Sequence, residues 1–235
     1  MRPARGVPIT RWRAEGSQWR ARPATYAILA LGLWLFGTGE ALLVAAGLGV
    51  APWTVLAQGL SVHLGLDIGL AVFLTSCLVL LVWIPLRQAP GLGTLANAIL
   101  LAGALEVMLH VVPAPTAFPW QLTEALAGII VIGIGSGLYL TTNLGAGPRD
   151  GMMTGLHRHT GWPVTPIRLV IEIVVLAIGW LLGGTVGLGT LLFALLVGPA
   201  VGYGLAIVGR LWHAPGYAVP DDPEAGQREH PELDA

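Results

Sequence analysis

GLGVAPWTVLAQGLSVHLG at residues 47–65 and NLGAGPRDGMMTGLHRHTG at residues 143–161 decide the fold, because the second is a diverged copy of the first displaced by 96 positions. Without a gap, Leu48, Gly49, Pro52, Gly59, Leu60, His63 and Gly65 fall on Leu144, Gly145, Pro148, Gly155, Leu156, His159 and Gly161. The same offset lays Gly91-Leu92-Gly93-Thr94-Leu95 and Ala98 on Gly187-Leu188-Gly189-Thr190-Leu191 and Ala194, and Gly37 and Gly39 on Gly133 and Gly135. Shared apolar composition produces scattered leucine matches, but not a Gly-x-x-Pro motif and a five-residue identity in one register. The chain is an internal duplication. Within each copy, glycine stops a helix and proline at a first helical position starts the next. Gly49, Pro52, Gly145 and Pro148 therefore mark a break followed by a helix of about three turns, too short to cross a bilayer. That helix either lies in the interface or re-enters the membrane.

Outward from the breaks, the chain is apolar. With 54% hydrophobic and 11% charged residues among 235, a water-soluble domain would expose more apolar surface than water tolerates. Hydropathy and Gly/Pro punctuation predict an all-α polytopic membrane protein with spans near 24–46, 67–86, 91–112, 121–142, 165–183 and 187–210. Residues 1–23 form an Arg-rich arm, 24–112 the first membrane repeat, 113–120 an external linker, 121–210 the second repeat, and 211–235 an acidic, disordered tail. Three spans per copy require the second copy to enter from the opposite side, giving inverted repeats. If the N-terminus is cytoplasmic, Arg87, Arg149, Arg158 and Arg210 also come out inside, and loops 47–66, 113–120 and 184–186 carry no arginine. This agrees with the positive-inside rule and puts both termini in the cytoplasm.

Gly145-Ala146-Gly147-Pro148-Arg149-Asp150-Gly151, Gly187-Leu188-Gly189-Thr190-Leu191-Leu192-Phe193-Ala194, Gly49-x-x-Pro52-Trp53 and Gly91-Leu92-Gly93-Thr94-Leu95-x-Asn97 resemble the YczE/YyaS/YitT family of bacterial membrane proteins. The resemblance runs from about residue 30 to 210. It implies a bacterial inner-membrane location and a multi-span fold, and names no substrate. The chain departs from the family pattern at Thr54, where an acidic residue after the tryptophan is common, so Thr54 and Asp150 are not expected to play symmetric roles.

Ionisable residues within spans are costly, about 2.5–3.5 kcal/mol each on insertion scales, and need a partner, an aqueous cavity or a proton. Glu40, Glu106, Arg168 and Glu172 are such residues. Arg168 and Glu172 stand one helical turn apart, either as a structural ion pair or with Glu172 facing the repeat interface for a cation or coupling proton. Glu40 and Glu106 are expected to face one outward cavity, or to be solvated at helix ends; a glutamate in apolar surroundings can also carry a proton. Arg149 and Asp150 open the second short helix, where Asp150 can accept first-turn N–H groups and Arg149 can anchor the loop or hold an anionic group. Asn97, Asn143, Gln58, Thr94 and Thr190 are uncharged candidates for lining a cavity, and His63 and His159 read as interface residues.

The single cysteine, Cys77, excludes an intramolecular disulfide, and no clustered His/Cys set points to a metal. There is no HExxH, GxSxG or Walker A motif, so neither an enzyme nor a cofactor is expected. Nucleic-acid binding has only the N-terminal arginines, which topology explains. The expected partners are the bilayer, an unidentified small solute and a second copy of the chain. Inverted repeats, paired breaks and intramembrane carboxylates together point to a secondary transporter or channel, with proton coupling through the carboxylates. The alternative is a membrane scaffold or regulator of a partner, which would need none of the buried charges.

Overall fold

A computed structural model describes residues 6–213. The acidic tail expected over 211–235 lies outside the described residues from 214 onward. Eight helices follow in order: α1 (Pro23–Ala46), α2 (Pro52–Leu64), α3 (Ile68–Trp83), α4 (Leu92–Leu109), α5 (Phe118–Leu140), α6 (Pro148–Thr160), α7 (Val164–Leu181) and α8 (Leu188–Trp212). Among the described residues the only β pairing is an isolated bridge between Thr10 and His213.

The 96-residue offset governs the backbone as well as the sequence. Pro52 and Pro148, Ile68 and Val164, and Leu92 and Leu188 open equivalent helices. Left-handed backbone recurs at Gly47 and Asn143, Gly49 and Gly145, Gly65 and Gly161, and Arg87 and Gly183. Arg87 and Asn143 take this conformation although they carry a Cβ, so the turn geometry is retained where the glycine is not.

Packing between the halves is reciprocal. Gly93 N donates to Leu144 O at 2.8 Å, and Gly189 N donates to Leu48 O at 2.7 Å. Each half thus fastens the start of its fourth helix to the break of the other half. The long first helices cross the same way: a Cβ on Gly32 would lie 2.9 Å from Gly135 O, and one on Gly39 would lie 2.6 Å from Gly128 O. Such small residues let apolar helices approach closely, which supplies the van der Waals packing that holds helices together in lipid. Every one of these contacts maps onto its partner when the halves are exchanged, so the halves are related by an approximate twofold.

α1, α4, α5, α7 and α8 are long and apolar enough to cross a membrane. The expected span at 67–86 is realised as α3, only 16 residues, preceded by α2 at an angle of 113°. The count is therefore five, or six if that bent pair forms one span. α3 ends early because residues 84–87 wind into turns that close on the left-handed Arg87. A second departure is a π-helical stretch at Asn97–Leu101 inside α4. The equivalent part of α8, 193–197, is regular helix, and Pro199 follows two residues beyond it.

The Arg-rich arm is packed against the bundle rather than free. Thr10 and Ala14 are buried, Ala14 N donates to Thr142 O at 2.9 Å, Arg11 N to Trp212 O at 3.2 Å, and Leu92 N to Gln18 O at 3.0 Å. Arg158 Nη1 reaches Gln88 Oε1 at 3.4 Å. The arm, the α3–α4 turn, α6 and the end of α8 therefore gather at one end of the bundle, and most of the arginines with them.

Candidate functional site

The N-terminal turns of α2 and α6 come together at Trp53 and Arg149. Each begins with proline at its first position after an uncapped residue, Ala51 or Gly147, so first-turn N–H groups point there without a capping side chain. The Arg149 guanidinium carbon lies 5.3 Å from the centroid of the Trp53 ring, within cation–π range. Residues 53 and 149 are repeat equivalents. A contact between a position and its own equivalent lies on the exchange axis, so the Trp53–Arg149 pair marks that axis.

Two carboxylates flank it, held in opposite senses. Glu40, on α1 and 1% exposed, accepts a hydrogen bond from Thr54 Oγ1 on α2 at 2.7 Å. In the other half the acid is on the short helix and the hydroxyl on the long one: Tyr139 OH of α5 donates to Asp150 Oδ2 of α6 at 3.3 Å. Both acids are within electrostatic reach of Arg149. Glu40 Oε1 is enclosed and has no hydrogen-bond partner among the described residues. An unpartnered buried carboxylate oxygen is costly, so it calls for a proton or a ligand donor.

Arg168 and Glu172 of α7 extend the cluster toward the surface; Arg168 Nε donates to Glu172 Oε1 at 2.8 Å, and both act electrostatically on Asp150. Asp150 and Arg168 are exposed, whereas Glu40 is fully enclosed, so the cluster runs from the surface to the interior. Asn97, first residue of the π-helical stretch, lies beside the α6 start: a Cβ on Gly147 would be 3.4 Å from its Nδ2 and 3.5 Å from Tyr139 OH. A π turn rotates the residues that follow it and is frequent at functional sites. The wall is aromatic and apolar, formed by Trp53, Val79, Trp83, Met152 and Val175. Trp83 Nε1 donates to Pro148 O at 2.9 Å, and its ring covers Gly151, where a Cβ would collide with it.

Of the residues picked from the sequence, Glu40, Asn97, Arg149, Asp150, Arg168 and Glu172 are thus brought to one region. Glu106 is not. Its Oε2 accepts from Gly69 N at 2.8 Å, fastening the start of α3, whereas Glu40 is bonded to α2. Asn143 also leaves the site: it occupies the left-handed position after α5 and its Nδ2 donates to Ala14 O at 3.0 Å. The capping expected of Asp150 is replaced by its bond to Tyr139. Gln58 accepts from Thr185 N, Thr94 Oγ1 donates to Ala146 O, and Thr190 Oγ1 accepts from Gly187 N, so these three tie loops and helix starts rather than line a cavity.

Sequence reasoning missed Tyr139 and Trp83, whose partners are distant in sequence, and passed over Glu124, whose Oε2 is enclosed without a partner. Trp53 could have been found, since it is the repeat equivalent of Arg149. Thr54 was noted only as a departure from a family pattern.

The sequence profile of a family of unknown function, DUF6198, matches residues 23–204. A protein of Haemophilus influenzae described as uncharacterised is 45% identical over 211 residues, covering 90% of this chain and 96% of that protein. The uncharacterised membrane protein YczE of Bacillus subtilis is 32% identical over 182 residues, covering 77% of this chain and 82% of its own. YyaS of the same organism is 26% identical over 193 residues, covering 79% and 94%. No solved structure matches the chain.

Proposed function

The chain belongs to DUF6198 and is a relative of the membrane protein YczE, and from that premise we propose that it is a secondary transporter or channel for a small solute. The observation that carries this reading is the Trp53–Arg149 contact on the exchange axis beside the unpartnered Glu40 Oε1. In transporters built from repeats, substrate and coupling-ion sites lie at the repeat interface, between broken helices whose ends point inward. The two halves are inverted in the membrane, with the arginine-rich end and both termini in the cytoplasm of the bacterial inner membrane.

In this reading Arg149 and the two helix N-termini receive an anionic or carbonyl group of the solute. Glu40 carries the coupling proton. With the carboxyl protonated, Oε1 or Oε2 can donate to the solute; with it ionised, Glu40 competes with the solute for Arg149. Solute and proton therefore favour each other's presence. The reciprocal fasteners, Gly93 to Leu144 at one end and Gly189 to Leu48 at the other, are the two gates, and opening one while the other stays closed gives alternating access.

The test is uptake into proteoliposomes over a metabolite panel with an imposed pH gradient. Glu40→Gln should abolish stimulation by the gradient, a loss on the order of tenfold if the proton–solute coupling is typical of linked sites, while solute exchange at equal pH survives. Arg149→Gln should abolish both. Absence of flux for every solute in the panel, with both variants still restoring the phenotype of a deletion strain, would sink the transport reading in favour of a scaffold.

A further inference from the structure

The packed N-terminal arm forms, with the start of α1, an open hollow of about 640 Å³ whose lining residues are separate from the Glu40–Arg149 cluster. Arg11, Arg13, Arg20 and Arg22 line it together with Glu15 and Thr25. We propose that this cavity is a phosphate-binding site at the membrane surface, filled by the headgroup of an anionic phospholipid.

Four arginines and one glutamate line a concavity of ligand size, with Arg11, Arg20 and Arg22 exposed to the outside. Among the described residues none of the four side chains is in an ion pair, and their one side-chain hydrogen bond is Arg11 Nε donating to His213 O at 3.3 Å. The positive-inside rule accounts for arginines at this end of the bundle, but it does not require them to converge on one hollow. Convergence without a partner is what a planar, multiply donating side chain offers to phosphate oxygens.

The cavity is also preformed. Thr25 Oγ1 donates to Trp12 O at 2.7 Å, Trp12 Nε1 to Thr141 Oγ1 at 3.1 Å, and Ala21 N to Tyr26 OH at 2.8 Å, so the arm is fastened on both sides of the hollow. Its depth favours a lipid source. Trp12, packed on Trp212 with 5.6 Å between centroids, the exposed Trp19, and Tyr26 surround the start of a membrane-crossing helix. Tryptophan and tyrosine in that position mark the headgroup level of a bilayer. A phosphate there has its acyl chains alongside α1.

The full chain, purified in micelles doped with phosphatidylglycerol or phosphatidylcholine, would be examined by native mass spectrometry for retained lipid. The wild type should keep phosphatidylglycerol and not phosphatidylcholine. Arg13→Gln/Arg20→Gln/Arg22→Gln should weaken retention by at least about tenfold, since charge-assisted hydrogen bonds are lost. Should that triple variant fail to fold, Glu15→Gln decides: removing the one acid that lines the cavity among the described residues should tighten retention by about threefold. Binding of inorganic phosphate, sensitive to the same variants and without lipid retention, would assign the site to free phosphate instead. Retention unchanged by the variants, or no phosphate compound bound at all, overturns the proposal. So does retention that appears only after removal of residues 214–235, which would make the cavity the docking place of the acidic tail. None of these outcomes depends on transport.

Discussion

Glu40 and Asp150 illustrate how one duplicated scaffold can hold two acids by opposite means. Each is bonded to a hydroxyl across the same short-helix–long-helix contact, but acid and hydroxyl have exchanged helices. Their surroundings differ: Glu40 is enclosed, whereas Asp150 is exposed. Loss of the hydroxyl should therefore be felt unequally. Thr54→Val is expected to lower stability by about 1–3 kcal/mol, because it leaves the buried carboxyl with no hydrogen-bond partner. Tyr139→Phe should lower it by less than about 1 kcal/mol, because water replaces the phenol at Asp150. Thermal unfolding of both variants in the same detergent checks the order, and a reversed order would mean that Glu40 is less enclosed than described. The acids themselves were legible, since a charge in an apolar run stands out. Their hydroxyl partners were not, because threonine and tyrosine cost little in a membrane helix and leave no mark on hydropathy.

At the scale of elements, the breaks before α2 and α6 are the most constrained pieces of backbone. Gly49 and Gly145 have φ of 101° and 121°, and a Cβ on them would lie 2.7 Å from Thr190 Oγ1 and 2.8 Å from Thr94 Oγ1. Alanine at either position meets both left-handed strain and a collision at the fastener between halves. Gly145→Ala should cost at least about 1–2 kcal/mol. Gly103→Ala, in mid-helix with nothing within 4 Å of its Cβ, should instead be neutral or stabilising by about 0.5–1 kcal/mol. Unfolding midpoints of the two variants measured side by side test whether the break, rather than glycine content in general, carries the constraint. The breaks and short helices were read correctly from Gly-x-x-Pro. The π-helical stretch at Asn97 was not, because it depends on how α4 packs and not on any local residue signal.

For the whole molecule, the inverted arrangement we propose makes one sharp prediction. His63 and His159 are repeat equivalents, and both are exposed near the ends of their short helices. In a Cys77→Ala background, His63→Cys should react with a membrane-impermeant maleimide added to intact cells, and His159→Cys only after the membrane is opened. Reaction of both from the same side would show that the halves are parallel. Residue 50, the obvious loop position from sequence, is unsuitable because Val50 is buried against the other half. That burial reflects the reciprocal packing which ties each break to its neighbour's fourth helix.

By itself the sequence determined that this is an all-helical, multi-pass membrane protein made of two copies, and where each copy is broken. Those properties follow from hydropathy, helix-breaking residues and a fixed offset, all of which are local or periodic along the chain. It also singled out charges lying within the apolar runs, because burying charge is costly wherever it occurs. Only the tertiary structure decided which of those charges meet. Glu40, Arg149, Asp150 and Glu172 converge because α2 and α6 point their first turns at a shared axis, while Glu106 is diverted to the start of α3. Convergence is a property of how the two halves pack on each other, and a duplicated sequence fixes that packing only through contacts between residues far apart in the chain.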